Sequence, residues 1–262
     1  MEPILEVKNL TMDFGGLRAL DSIELELYQG EIVALIGHNG AGKTTFFNCI
    51  TGIYPPTAGE MLARPPRKGT VRLNGMKPNK VTEVGMARTF QNIRLFQNMT
   101  VLENVMVGRH CRLSSGIPGA VFRPPSTVKE EQQVVEDSYV ILEKIGIESY
   151  VNEYAKNLPY GAQRRLEIAR AMATDPFVLL LDEPAAGMNP RETEALDELI
   201  LKIRQQEDIT ILLIEHDMQL VMSLSDRIYV VDYGRKIAQG TAREIKRNPA
   251  VIKAYLGEDV DA

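Results

Sequence analysis

Gly37-His38-Asn39-Gly40-Ala41-Gly42-Lys43-Thr44 fits the spacing Gly-x-x-x-x-Gly-Lys-Ser/Thr and follows the apolar run Ile32 to Ile36. That is the make-up of a phosphate cradle. Glycines let the backbone pass close to an anion, Lys43 carries a point charge for the outer phosphates, and the Thr44 hydroxyl is a ligand for Mg²⁺. A helix starting near Lys43 adds free N–H groups and the positive end of its dipole. Gly37 to Thr45 are therefore the expected nucleotide-binding residues. A glycine-rich turn without a ligand is the plain alternative, and the order strand, loop, Lys-Thr, helix weighs against it. The motif specifies a nucleotide and leaves open ATP or GTP, and to what end.

A second constellation lies downstream. Phe177-Val178-Leu179-Leu180-Leu181 is an apolar run that ends in Asp182-Glu183. Alone, two carboxylates at a strand end are a solvated turn. Behind a phosphate cradle they supply negative charge for a nucleotide's metal: Asp182 acts on Mg²⁺ through water, and Glu183, pointing the other way, orients and deprotonates an attacking water.

These residues need a scaffold, and the hydropathy pattern describes one. Leu5, Val7, Ile23, Leu25 and Leu27 alternate with Glu6, Lys8, Glu24 and Glu26, which predicts half-buried antiparallel strands between Ile4 and Leu27. Ile32–Ile36, Phe177–Leu181, Ile209–Ile214 and Ile228–Val231 are continuous apolar runs, the form taken by parallel strands covered on both faces. Helical patterns fill the gaps at Lys43–Thr51, Val128–Ile145, Gly161–Thr174, Pro190–Gln206 and Met218–Leu224. The alternation predicts an α/β fold. Between Gln91 and Leu158 the strand runs vanish, and a mostly helical lobe is expected there. Tyr54–Gly69 and Ser114–Thr127, rich in Pro and Gly, are expected to be surface loops.

Composition narrows the function. The 262 residues carry a net charge of −5, which argues against a broadly basic nucleic-acid surface. Cys49 and Cys111 are too few for a disulfide framework and stand in no metal-ligand spacing, as fits a reducing setting. No segment approaches the ~18 unbroken apolar residues that span a bilayer, so work at a membrane requires a partner that holds the chain there.

Taken together, the motifs resemble the ATP-binding cassette (ABC) ATPases, the motor subunits of ABC transporters, over essentially the whole chain. Beyond the cradle and Asp182-Glu183, the resemblance rests on three segments in family order: Thr89-Phe90-Gln91, Leu158-Pro159-Tyr160-Gly161-Ala162-Gln163-Arg164-Arg165 and Ile214-Glu215-His216-Asp217. It implies a P-loop NTPase (RecA-like) core, an N-terminal antiparallel β subdomain and an inserted helical lobe. The implied division is 1–90 with 162–262 as the ATP-binding α/β core, and 91–161 as the lobe. ATP and Mg²⁺ are the implied cofactors. Glu183 is then the base, His216 organises the γ-phosphate and water, Lys43 clamps phosphate, and Gln91 joins Thr44 and Asp182 around Mg²⁺. Phe14, ahead of Gly15-Gly16, matches the aromatic on which adenine stacks. Pro159, Tyr160, Gly161 and Gln163 are expected to face ATP held by a partner subunit.

Two departures stand out against the family pattern. Pro159 replaces the serine of Leu-Ser-Gly-Gly-Gln and brings neither hydroxyl nor N–H, so this chain is expected to complete its partner's site less well. Asn189 replaces an aspartate, and an amide there still hydrogen-bonds across a dimer interface without charge. The finer resemblance is to the ATPase subunit of branched-chain amino-acid importers, through Phe14-Gly15-Gly16-Leu17, Asn48-Cys49-Ile50-Thr51-Gly52, Arg88 to Phe96, Pro159-Tyr160-Gly161, Asp182 to Pro190 and Ala254-Tyr255-Leu256-Gly257. Glu60–Gly69 looks like an insertion away from the motifs. The implied partners are a second, different ATPase subunit, two permease subunits contacted near Gln91 to Gly108, and an external solute-binding protein; nucleic acid is not among them. The implied location is peripheral, on the cytoplasmic face of the cell membrane. Two other readings stay open, an importer for another small solute such as urea or amides, and a weakly active regulatory subunit. A cassette acting on the ribosome or on DNA is disfavoured, since the chain holds one cassette and no linker that could form a long coiled coil.

Overall fold

The computed structural model describes residues 2–66, 69–113 and 124–256, and two sheets organise it. In the first, β1 (Leu5–Phe14) pairs antiparallel with β2 (Leu17–Leu27), as the alternating pattern predicts. Leu5, Val7, Ile23, Leu25 and Leu27 are buried there. The second sheet has β3 (Ile32–Ile36) at its heart and ends in the edge strands β6 (Met86–Arg88) and β10 (Arg235–Gly240). After β3 the chain runs through α1 (Lys43–Ile50), β4 (Ala58–Ala63), β5 (Val71–Arg72), α2 (Pro78–Val84) and β6 (Met86–Arg88). There follow α3 (Val101–Arg109), α4 (Pro125–Ile145), α5 (Tyr160–Met172), β7 (Val178–Asp182), α6 (Pro190–Glu207), β8 (Thr210–Ile214), α7 (Met218–Leu224), β9 (Arg227–Asp232) and β10 (Arg235–Gly240). Two short helices, α8 (Ala242–Ile245) and α9 (Pro249–Leu256), close the described chain.

The first sheet has the order β2-β1-β4-β5, the second β10-β9-β3-β8-β7-β6. All four continuous apolar runs are parallel neighbours in the second sheet, and β10 adds an antiparallel edge. Because side chains alternate across a strand, one strand feeds two cores. Val33, Leu35, Leu180, Leu212 and Ile214 pack with Phe46, Phe47 and the antiparallel sheet. Leu179, Leu181, Ile211 and Leu213 pack on the other face with Val101, Val105, Leu142, Ile145, Leu166 and Ile168. The helical segment therefore shares its core with the sheet. Val134, Ser138, Leu142 and Ile145 form the buried stripe of α4, at helical spacing.

Three expectations need correction. Tyr54–Gly69 is not simply a surface loop: Ala58–Ala63 is strand β4, paired with β1, with Met61 and Ala63 buried. Its sequence, Ala-Gly-Glu-Met-Leu-Ala, has little intrinsic strand preference, and the neighbour decides its conformation. Arg67 and Lys68 of that segment lie outside the described residues. Of the expected loop Ser114–Thr127, residues 114–123 also lie outside, whereas Pro125–Thr127 is the first turn of α4, where the fixed φ of proline suits a helix start. The expected helix over Gly161–Thr174 begins one residue earlier, at Tyr160, with Pro159 as its N-cap. Among the described residues no helix is long and apolar enough to cross a membrane.

Candidate active site

The cradle connects β3 to α1. Gly42, the N-cap of α1, has φ 104°, and a Cβ there would fall 2.8 Å from the Ala19 carbonyl oxygen. A Cβ on Gly37 would come within 2.2 Å of the Val231 carbonyl oxygen. Both positions require glycine, one for backbone conformation and one for space. No side chain caps α1, and its first turn carries no acidic residue, so its free N–H groups are left for an anion. Lys43 Nζ donates to the carbonyls of Gly37 at 2.8 Å and His38 at 3.0 Å, which draws the loop around the ammonium. Burial holds this ammonium below its ordinary pKa range, against the opposing pull of Glu183 and Asp182. Thr44 is exposed and Thr45 half-buried; Asn39 and Gly40 form the open lip, with Ala41 buried beneath. His38 lies across the rim, Nε2 2.6 Å from Asp232 Oδ1 and ring 4.9 Å from Tyr233.

Strands β7 and β8 deliver the carboxylates and the histidine to the same edge. Asp182 pairs in register with Ile214, so Glu183 emerges beside Glu215-His216. The Glu183 N–H donates to the Ile214 carbonyl at 2.9 Å, and Glu183 takes a φ of 46°, uncommon for a residue with a side chain. Gln91 Nε2 donates to Glu183 Oε2 at 2.8 Å. His216 Nδ1 lies 3.7 Å from the same oxygen and 3.6 Å from Glu215 Oε2, with its ring largely in solvent. Gln91, Glu183 and His216 are thus one cluster. Asp182 is 2 % exposed and bound by Arg88, whose Nη2 is 2.7 Å from Oδ2. Phe14, 41 % exposed, presents its ring at the end of β1 and meets Tyr54 edge-on at 5.3 Å. It is a flat apolar surface at the end of a strand, of the kind a base stacks on.

The signature residues make contacts of their own within the chain. Tyr160 donates its hydroxyl to the Ala186 carbonyl at 2.7 Å, and Gly161 lies against Glu192. Gln163, expected to face a partner's nucleotide, spends its amide on the Leu158 carbonyl at 2.9 Å, and the family's glutamine position falls one residue earlier, on Ala162. Pro159 leaves α5 without a side-chain cap. Asn189 accepts from the N–H groups of Arg191 and Glu192, both at 3.1 Å, in a capping box with Glu192. Within the chain its amide oxygen serves the helix.

Three groups of buried polar residues escaped sequence reasoning. Glu215 Oε1 accepts from the Ala185 N–H at 2.9 Å and Oε2 from the His216 N–H at 3.0 Å, tying the segment after Glu183 to the histidine. Arg164 donates to the carbonyls of Phe90 at 2.7 Å and Gln91 at 2.9 Å, and pairs with Glu167 at 2.9 Å. Glu167 in turn accepts from the N–H groups of Arg94 and Phe90. Arg88 is the third. The sequence signal was present in each case: a charge inside an otherwise apolar helix face or next to a strand end.

Chemically, the cluster holds a carboxylate with one oxygen bound by an amide, beside a cradle for phosphate. The donor chemistry suits a divalent cation. Asp182 Oδ1 is buried without a partner, and with the exposed Thr44 hydroxyl and the Gln91 amide oxygen it makes a set of hard oxygen donors.

A family model described as ABC transporter matches residues 20–186, and one described as branched-chain amino acid ATP-binding cassette transporter matches residues 235–261. The chain is 51% identical to the high-affinity branched-chain amino acid transport ATP-binding protein LivG of Escherichia coli (strain K12), across 98% of this chain and 99% of that one. It is 48% identical to the corresponding protein BraF of Pseudomonas aeruginosa, across 98% of both. A crystal structure of the ADP conformation of an ATP-binding cassette of an ABC transporter superposes with a TM-score of 0.83 at 30% identity, across 98% of this chain and 100% of that one.

Proposed function

The chain belongs to the ABC transporter family as an ATP-binding cassette ATPase, and from that premise we propose that it powers the uptake of leucine, isoleucine and valine through a separate permease. The observation that carries the hydrolytic part is the convergence of Gln91 and His216 on one oxygen of Glu183, at the sheet edge that also holds the cradle. Glu183 takes a proton from water as the water oxygen attacks the γ-phosphorus. The bond from that phosphorus to the bridging oxygen breaks, and ADP and phosphate leave. Gln91 keeps the carboxylate turned toward the water, and His216 bonds the γ-phosphate. Lys43 and the first N–H groups of α1 neutralise the phosphate charge, while Phe14 stacks on adenine. Mg²⁺, held by Thr44, Gln91 and, through water, Asp182, supplies Lewis-acid charge when bound.

The same reading extends to an assembly. The contacts of α5's amino end within the chain are with Ala186 and Glu192, so its first-turn N–H groups are available to ATP on a second subunit. Pro159 contributes no hydroxyl there, which makes this the weaker half of a pair with a different sister ATPase. Residues 91–161 form the helical signature lobe, and 1–90 with 162–262 the ATP-binding core. The open groove between α2 and α3, lined by Phe90, Arg94, Phe96 and Val107, receives a permease segment near Gln91 to Gly108. The chain then sits peripherally on the cytoplasmic face of the membrane, and an external solute-binding protein selects the amino acid.

The test uses the assembled transporter in vesicles. Glu183→Gln is expected to cut ATP hydrolysis at least ~10²-fold, the usual loss of a general base, while an ATP-bound dimer persists. Parental turnover in that variant would overturn the catalytic assignment. Stimulation of the wild-type ATPase by a binding protein loaded with urea, and not by one loaded with leucine, would overturn the solute.

A further inference from the structure

The metal-side carboxylate is gripped from one side only. Asp182 Oδ2 is bound by Arg88 Nη2 at 2.7 Å, while Oδ1 is buried with no partner. Arg88 is anchored in turn. Its Nη1 donates to Asn48 Oδ1 at 2.7 Å and lies 3.4 Å from Thr51 Oγ1, both contributed by α1 or its C-cap. The guanidinium also lies 5.4 Å from the ring centre of Phe47 and 5.5 Å from that of Phe90. With its side chain 8 % exposed, Arg88 is fixed by two aromatic faces, one amide and one carboxylate. A planar guanidinium can hold two acceptors at set angles at once, and an ammonium on a flexible stem cannot.

We propose that Arg88 is a positioning residue: anchored on α1 through Asn48, it holds one oxygen of Asp182 and so presents the other to the metal of the bound nucleotide. The proposal rests on the reading of Asp182 as the metal-side carboxylate. It gives a role to Asn48, Thr51, Arg88 and Phe90, which the sequence marks as subgroup features without saying what they do. Arg88 also lines the groove between α2 and α3, so a segment seated there reaches the metal side of the nucleotide through a single side chain.

The experiment is a Mg²⁺ titration of fluorescent ATP-analogue binding to the full chain, with melting temperature read on each variant. Arg88→Met is expected to bind the analogue in EDTA as the parent does, and to raise the half-saturating Mg²⁺ about 10-fold or more, as loss of an outer-shell partner does. Arg88→Lys should fall between the two. In an Asp182→Asn background Arg88→Met should add nothing further, because its effect runs through Asp182. A purely structural role would lower the melting temperature and leave the Mg²⁺ midpoint where it was, and that result overturns the proposal. If Asp182→Asn itself leaves the midpoint unchanged, the reading of Asp182 fails instead. Should Arg88→Met not fold, Asn48→Ala loosens the anchor and keeps the ion pair: a raised midpoint supports the clamp, an unchanged one overturns it.

Discussion

Removing the charge of Arg164 tests how the glutamine loop is held. Its side chain and that of Glu167 are 0 % and 1 % exposed, and between them they bind backbone groups of Phe90, Gln91 and Arg94. Arg164→Met keeps most of the volume, strips two carbonyls of their donor and leaves Glu167 buried without its counter-ion. Breaking a buried pair from one side costs about 3–5 kcal/mol. Unfolding entropy is about 2.1 cal/mol/K per residue, or roughly 0.55 kcal/mol/K for 262 residues, so Tm should fall by about 5–9 °C. Burial already pushes the Glu167 carboxyl up, against Arg164, and without Arg164 it rises further. A raised carboxyl contributes stability that is present at low pH and lost as pH rises through the folded pKa, so the defect should be smaller at pH 5 than at pH 8. Arg164→Met with Glu167→Leu replaces the pair by apolar groups and should recover at least half of the loss. Calorimetry and urea titration of the three variants decide the matter. A fall of under about 2 °C in the single variant, or a double variant no better than the single, would refute the account.

Two further outcomes are expected. Asn189→Ala removes a capping box and should cost about 1 kcal/mol, near 2 °C in Tm, whereas Asn189→Asp keeps the cap and should melt with the parent; equal melting of all three proteins would show the cap to be idle. Asp197 is raised to about 6 by burial first and then by Asp217, Glu215 and Glu194. Stability from its protonated form is present below its ordinary value near 4 and lost as pH rises through 6, so Asp197→Asn should raise Tm by about 2 °C at pH 8 and leave it unchanged at pH 4. A pH-independent difference between the two proteins would count against that assignment.

The sequence showed the nucleotide end of the molecule well because its pieces are local. Gly37 to Thr44 is one contiguous loop, and each of the four inner parallel strands is a short apolar run whose period cannot be mistaken for a surface helix. What stayed hidden was set by neighbours far along the chain. Ala58–Ala63 becomes a strand because β1 offers its edge, and Met86–Arg88 because β7 offers its own; neither stretch announces itself by composition. The same holds for the site. Glu183 and His216 were legible as strand-end residues. Glu215, Arg88 and Arg164 act through partners 30 to 94 positions away, and Asn189 and Gln163 turned out to satisfy backbone groups within five residues.

The cradle strand β3 lies between β8 and β9, and the loop it carries leans on Val231 and on the Gly234 N–H, which donates to the Ala41 carbonyl. A ribosome finishes residues 32–36 long before it reaches 210–232. At about 5–20 residues per second, β3 waits roughly 10–40 s for the strands that flank it. Through that interval the nascent chain carries the complete motif and no pocket. A prematurely terminated product lacking β9 would therefore display the Gly-Lys-Thr sequence yet be blind to ATP, so nucleotide binding doubles as a certificate that translation passed β9.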